Sequence, residues 1–234
     1  MTAKQEPKEG EFIYMSASTK PYYEEIFSEG TEEHWEKAPG KTVIIKALQH
    51  QLDIGKIAEE SSVIDVGCGS GFLLGRIQAE VPKNRFELQG LDFSEKAIVK
   101  AKRKYPNFHF YCEDGANTHF DSGKFDVVIS YGTYEHFPKP QDGVKELARL
   151  LRKGGLFFCM MPTLGVDRTD RDDEGWYEER QVPGSPIRQM QWNLKRESWE
   201  SFFTNAHLQT YPIEESKVFG ALKPGVFFFG EKGA

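Results

Sequence analysis

Between residues 62 and 161 the apolar positions follow two periods in turn. Val63, Ile64 and Val66 make a short β-branched run around Asp65, the pattern of a buried strand. Gly67, Gly69 and Gly71 follow, alternating with Cys68 and Ser70. Apolar residues then recur at 73, 74, 77 and 81, a helical stripe that Pro82 stops. The unit is strand, glycine loop, helix. Residues 86–92 read as a second strand that ends in an acid, Asp92. Ser94 can cap the next helix, which carries Ala97, Ile98, Ala101 and Tyr105 on one face and stops at Pro106. Residues 108–112 and 125–130 are a third and a fourth strand. Val144, Leu147, Ala148 and Leu151 mark a helix closed by Lys153, Gly154 and Gly155, and residues 156–161 form a fifth strand. Ahead of all this, apolar positions 44, 45, 48 and 52 predict a helix over 42–52. Strands alternating with helices predict an α/β fold with a parallel sheet and right-handed crossovers.

The flanks are less regular. Residues 1–10 read as a charged tail, and 11–40 combine many glutamates with Phe12, Tyr14, Tyr22, Tyr23, Phe27 and Trp35. Two readings of that segment stand side by side: surface helices with aromatics tucked onto the core, or a flap over a ligand site. Residues 162–192 show no clear period. Regular structure resumes with a helix face of Trp199, Phe202, Phe203 and Ala206. Two strands follow, over 208–218 and 226–229, with a turn at Lys223, Pro224 and Gly225, which predicts an antiparallel hairpin at the sheet edge.

Composition narrows the class. The 234 residues are 38% hydrophobic and 13% aromatic, enough for one domain with a sizeable core. A net charge of −6 argues against broad nucleic-acid binding. No apolar run reaches the length of a membrane span, and the first ten residues lack an apolar signal region. Cys68, Cys112 and Cys159 form no CxxC pair and no zinc spacing, so a cytoplasmic protein with reduced thiols and no metal site is expected.

The chemistry gathers at strand ends. In an open parallel sheet, ligands lie beyond the carboxyl ends of the strands. Here those ends carry the glycine loop, Asp92, the pair Asp114 and Gly115, and the pair Ser130 and Tyr131. Asp92 stands where a strand-end acid can accept from a ribose diol. A dinucleotide fingerprint would put its third glycine at 72, and that residue is Phe72.

This pattern resembles the class I S-adenosylmethionine-dependent methyltransferases. Asp65, Gly67, Gly69 and Gly71 match the family's first motif. Leu91 to Ser94, Glu113 to Gly115, Phe125 to Ser130, Glu135 to Phe137 and Leu150 to Gly155 follow in family order. The resemblance implies a Rossmann-like three-layer sandwich with a seven-stranded, mostly parallel sheet and an antiparallel C-terminal strand. It also implies the cofactor, S-adenosyl-L-methionine. By position, Asp65 and the backbone around Gly67 would hold the methionine amino group. Asp92 would take the ribose hydroxyls and Phe93 would lie against the adenine. Asp114 and the Gly115 N–H would meet the adenine edge, and Ser130 and Tyr131 would lie near the methionine part and the sulfonium.

Methyl transfer is an in-line displacement, so its main demand is positioning in a dry site. A base is needed only for a protonated acceptor. By position in the family pattern His136 is the candidate, and a purely structural role for it stays open. His34, His50, His109, His119 and His207 have no such placement, Cys68 reads as a small residue between glycines, and the acids of 167–174 fit no calcium loop. Residues 1–40 are read as tail and lid segment, and 41–234 as the catalytic domain with insert 162–192. Tyr14, Tyr22, Tyr23 and Trp35, with Trp176, Tyr177 and Arg180 of the insert, are the expected acceptor cap. The expected activity is methyl transfer to an O or N atom of a small molecule, with neither nucleic acid nor membrane as partner. The rivals are a protein acceptor, a non-methylating cofactor-binding subunit and a nucleotide-dependent dehydrogenase.

Overall fold

The computed structural model describes residues 11–30, 32–36, 38, 40–83, 85–162, 176–181, 188–212 and 225–233, of which 11–19, 34, 35, 162, 176–181, 188–190, 193, 212 and 225 are described by backbone alone. The N-terminal segment is helical: α1 (Glu11–Glu29), the single turn α2 (Glu33–Glu36) and α3 (Lys41–Asp53). The alternating part follows as β1 (Ser62–Val66), α4 (Phe72–Glu80), β2 (Glu87–Asp92), α5 (Glu95–Lys104), β3 (His109–Cys112) and β4 (Phe125–Tyr131). A 3-10 turn (Tyr134–His136) then leads to α6 (Pro140–Leu150) and β5 (Leu151–Pro162). The chain ends with β6 (Trp176–Gln181), β7 (Arg188–Asn193), α7 (Arg196–Asn205), β8 (Leu208–Pro212) and β9 (Gly225–Lys232).

Seven strands form one sheet in the order β3-β2-β1-β4-β5-β9-β8. The first five are parallel; β9 runs antiparallel to both β5 and β8. This is the expected Rossmann-like sandwich, and its centre has the continuous apolar run of a strand covered on both faces. Alternation along β1 divides the core. Val63 joins the layer under α3, α4 and α5, with Leu48, Leu74, Ile77, Ile98, Val127 and Phe158. Ile64 and Val66 join the other layer, with Val144, Leu147, Phe157, Trp199, Phe203 and Phe228. Asp65 shares its face with Val63, so it looks toward α3. Among the described residues, no helix is long and apolar enough to cross a membrane.

Two expectations change, the stop of one helix and the insert. The helix ahead of the fifth strand stops at Leu150, not at the glycine pair, because Lys232 reaches back from β9 and its Nζ donates to the carbonyls of Ala148 (2.7 Å) and Leu151 (2.9 Å). Gly154, at φ 69°, serves instead in a bulge of β5, where Phe125 pairs with Leu151 but Val127 pairs with Leu156. At the C-terminus the expected antiparallel pair stands at the sheet edge, with β8 outermost and β9 inside. Val226, Phe227 and Phe228 are apolar on both faces and are buried between β5 and β8. The turn at 223–224 lies outside the described residues. Finally, the insert contains an antiparallel ribbon, β6 with β7. β6 carries Glu178, Glu179 and Arg180 without apolar alternation, and in β7 the alternation is confined to Met190 and Trp192.

Candidate functional site

The glycine loop, Asp92 and Tyr131 stand at the carboxyl ends of β1, β2 and β4. Gly67, Gly69 and Gly71 have φ of 79°, 54° and 76°, so the chain leaves β1 and enters α4 through left-handed backbone. A Cβ on Gly67 would collide with the side chain of Thr133. The N–H groups of Gly67 and Cys68 both donate to the Leu91 carbonyl, at 2.8 and 2.9 Å, and tie the loop to β2. No side chain caps α4 at Gly71.

Asp92 stands beside this loop. Its two oxygens accept from the Gly69 N–H (3.0 Å) and the Ser94 N–H (2.9 Å), and the side chain is buried. Burial is the main influence on the carboxyl and raises its pKa to about 6, against those two hydrogen bonds. Asp65 is 2% exposed, and its Oδ1 has no hydrogen-bond partner among the described residues. Burial lifts its pKa to about 7, and the nearby Lys41 draws it down.

Lys41 was not singled out by its place in the sequence. It is the first residue of α3, with its Nζ 4.5 Å from the centre of the Tyr131 ring. Desolvation lowers its pKa to about 8, against the pull of Asp65 and Glu36. The cation and the acid lie 24 positions apart and meet only because α3 packs over β1, so no local signal marks the lysine.

The other predicted residues divide. Phe93 is half-buried next to Asp92. Asp114 is exposed, with Oδ1 accepting from the Ala116 N–H at 2.9 Å, and Gly115 is buried where a Cβ would lie 2.8 Å from Val66. Tyr131 faces Lys41; burial and Glu135 hold its pKa well above the usual phenol range. Ser130 alternates to the opposite face of β4, where it is buried beside Tyr134. Its side chain is therefore not brought together with Asp65 and Asp92.

Against Phe93 and His136, α1 supplies an aromatic wall. The Tyr23 ring meets Phe93 at 5.5 Å and His136 at 5.7 Å, both edge-on, and Tyr22 stands 5.1 Å from Tyr23. His136 ends the 3-10 turn, with Nε2 3.7 Å from Oε1 of the buried Glu135. Trp192 of β7 donates its indole N–H to the Phe137 carbonyl at 3.0 Å and moors the ribbon to that turn. The side chains of Tyr14, Trp35, Trp176, Tyr177 and Arg180 lie outside the described residues. Among the described residues, no three His, Cys, Asp or Glu side chains cluster as a metal site.

Comparison with known proteins gives a consistent picture. Residues 63–155 match a family described as "Methyltransferase domain". The chain is 30% identical over 120 residues to the ubiquinone biosynthesis O-methyltransferase of Coxiella burnetii, covering 50% of this chain and 48% of that one. The chain thus spans about half the length of the first curated relatives it matches. It is 28% identical over 160 residues to the ubiquinone/menaquinone biosynthesis C-methyltransferase of Campylobacter jejuni, covering 65% of this chain and 64% of that one. Its fold matches, with a TM-score of 0.69 and 13% identity, that of Burkholderia thailandensis 1,6-didemethyltoxoflavin-N1-methyltransferase with bound 1,6-didemethyltoxoflavin and S-adenosylhomocysteine. That match covers 100% of this chain and 94% of the other.

Proposed function

Residues 63–155 form a methyltransferase domain of the class I S-adenosylmethionine-dependent superfamily, and from that premise we propose that the chain moves the cofactor's methyl group to an O or N atom of a small molecule. The observation that carries this reading is the charge pattern around the glycine turn. Asp65 holds an orphaned buried oxygen, which suits the cofactor's ammonium. Lys41 stands close by as a cation for its carboxylate. Asp92, pinned by two backbone N–H groups, is set to accept from a ribose diol.

When bound, S-adenosylmethionine supplies an electrophilic methyl group on a sulfonium. The chain's own task is to orient and to dry the site. Asp65, Lys41 and Asp92 fix the donor at three points, and Phe93 offers a face for the adenine. Tyr23 and Tyr22 close the opposite side and exclude water. Fixing both reactants can supply up to roughly 7–11 kcal/mol of the barrier. His136 faces the same aromatic wall and, where the acceptor arrives as a hydroxyl or protonated amine, takes its proton at a ring nitrogen. A small acceptor agrees with the didemethyltoxoflavin bound by the Burkholderia relative.

Calorimetry with S-adenosylmethionine and S-adenosylhomocysteine tests the donor half. Transfer of a labelled methyl group across a panel of phenols and nitrogen heterocycles tests the acceptor half, with product NMR assigning the methylated atom. Binding of reduced nicotinamide dinucleotide instead of the sulfonium cofactor would overturn the reading, as would a product methylated on carbon for its acceptor half.

A further inference from the structure

The first four N–H groups around the start of α5 are shared out in an unusual way. Asp92 accepts from Ser94, and the Ser94 hydroxyl accepts from Ala97 at 3.1 Å. The two donors between them go to a residue of α1. Glu24 accepts from the Glu95 N–H at 2.7 Å and from the Lys96 N–H at 3.2 Å. A helix 71 positions away in sequence thus caps α5 on the same turn that presents Asp92. Glu24 is also one of the charges that push the Asp92 carboxyl up.

Beyond that cap the two segments match in register. Lys96, Lys100 and Lys104 recur every four residues along one side of α5. Ser28, Glu32 and Glu36 recur at the same interval on the N-terminal segment. The pairs form in order: Lys96 with Ser28 at 3.0 Å, Lys100 with Glu32 at 2.6 Å and Lys104 with Glu36 at 3.4 Å. Glu36 reaches further and accepts from the hydroxyl of Ser70 in the glycine loop. Apolar contacts stand beside this ladder, and α1 also packs against β7. Phe27 is buried against Gly69, and Tyr23 leans on Phe93. The exposed charged rungs are individually weak and are screened by salt, whereas Lys100–Glu32, with the Glu32 side chain 10% exposed, is screened less.

We propose that residues 20–30 and 32–36 act as a reversible, salt-sensitive lid over the cofactor site, and that Glu24 is the positioning residue that couples lid closure to occupancy of the Asp92 turn. A ribose held by Asp92 keeps the N–H groups of residues 95 and 96 aimed at Glu24. By linkage, the lid strengthens cofactor binding by the same factor as the cofactor strengthens closure. The inference rests on the reading that Asp92 binds the ribose.

The test uses the full chain and S-adenosylhomocysteine, with stopped-flow dissociation at low and high salt. Salt should speed release from the wild type. Glu24→Ala should speed it roughly fivefold, the change carried by loss of a helix cap, with Glu24→Gln in between. The cofactor KM should rise while kcat at saturation changes less. Glu32→Lys should also speed release, and the double variant Glu32→Lys/Lys100→Glu should return toward wild type. Equal release rates for wild type and Glu24→Ala at both salt levels overturn the proposal, as does a double variant no slower than Glu32→Lys. If the wild type binds no S-adenosylhomocysteine, the cofactor reading has failed and the lid is judged by hydrogen exchange of residues 20–30 and 32–36. Exchange that rises in Glu32→Lys and recovers in the double variant supports the lid; exchange unchanged in both sinks it.

Discussion

Replacing Asp92 with asparagine removes one charge and one acceptor while keeping the shape of the side chain, so it separates what the residue does for binding from what it does for folding. In the folded chain, burial holds the carboxyl at a pKa of about 6, against an ordinary 3.8. The difference, about 2 pH units, corresponds to about 3 kcal/mol opposing the ionised form. Because the folded pKa is the higher one, this cost is absent below about pH 4, grows between about pH 4 and 6, and is complete above that. Asparagine escapes it. Against that gain, the amide NH2 must face one of the two backbone N–H groups now bound by the carboxylate, which costs roughly 1–3 kcal/mol. Stability at neutral pH should therefore stay within about 2 kcal/mol of wild type. Binding has no such compensation. Two ribose hydroxyls donating to a charged acceptor contribute roughly 1.5–3 kcal/mol each. Losing the charge should cost about 3 kcal/mol in all, a Kd raised roughly 100-fold. Calorimetric titration and urea unfolding of both proteins read the two effects separately. A Kd within about threefold of wild type in a folded Asp92→Asn variant would refute the ribose assignment.

Cofactor affinity of the wild type should rise through about pH 6–7 as Asp92 and Asp65 ionise and fall above about pH 8 as Lys41 loses its proton, and a flat profile would exclude both roles. Lys41→Met should weaken binding roughly tenfold and abolish the alkaline fall, because it removes the one charged hydrogen-bond donor assigned to the cofactor's carboxylate. Gly67→Ala should lower stability by roughly 1–3 kcal/mol in urea unfolding, since φ is 79° and the new methyl meets Thr133; an unchanged midpoint would mean that the loop adapts. His136→Gln should lower kcat by roughly 100-fold or more while leaving cofactor affinity intact, and an unchanged kcat would reduce His136 to a wall residue.

Much of the frame is legible along the chain. The β-branched run at 63–66, the phase of Gly67, Gly69 and Gly71 and the strand-end acid Asp92 are local signals. Periodicity and backbone sterics act within a few residues. Ser94 is legible for the same reason: a cap binds a donor three positions away, here at Ala97. Local signals mislead where a distant residue takes over their task. Gly154 and Gly155 look like a helix stop, yet Lys232 caps the helix earlier, and the glycines are left to a bulge. The β6–β7 ribbon escapes notice because the charges of β6 do not advertise its backbone pairing and the alternation in β7 is confined to Met190 and Trp192.

The sequence by itself determined the strand–glycine–helix unit, the kind of sheet built on it and the type of ligand that such a turn receives, because each follows from short-range geometry. Only the tertiary structure decided which charges face that ligand. Lys41 meets Asp65 across the α3–β1 packing, and Glu24 closes on the Asp92 turn from another helix. Electrostatic partners are chosen by distance and burial in space, and neither is written into the spacing of residues along a chain.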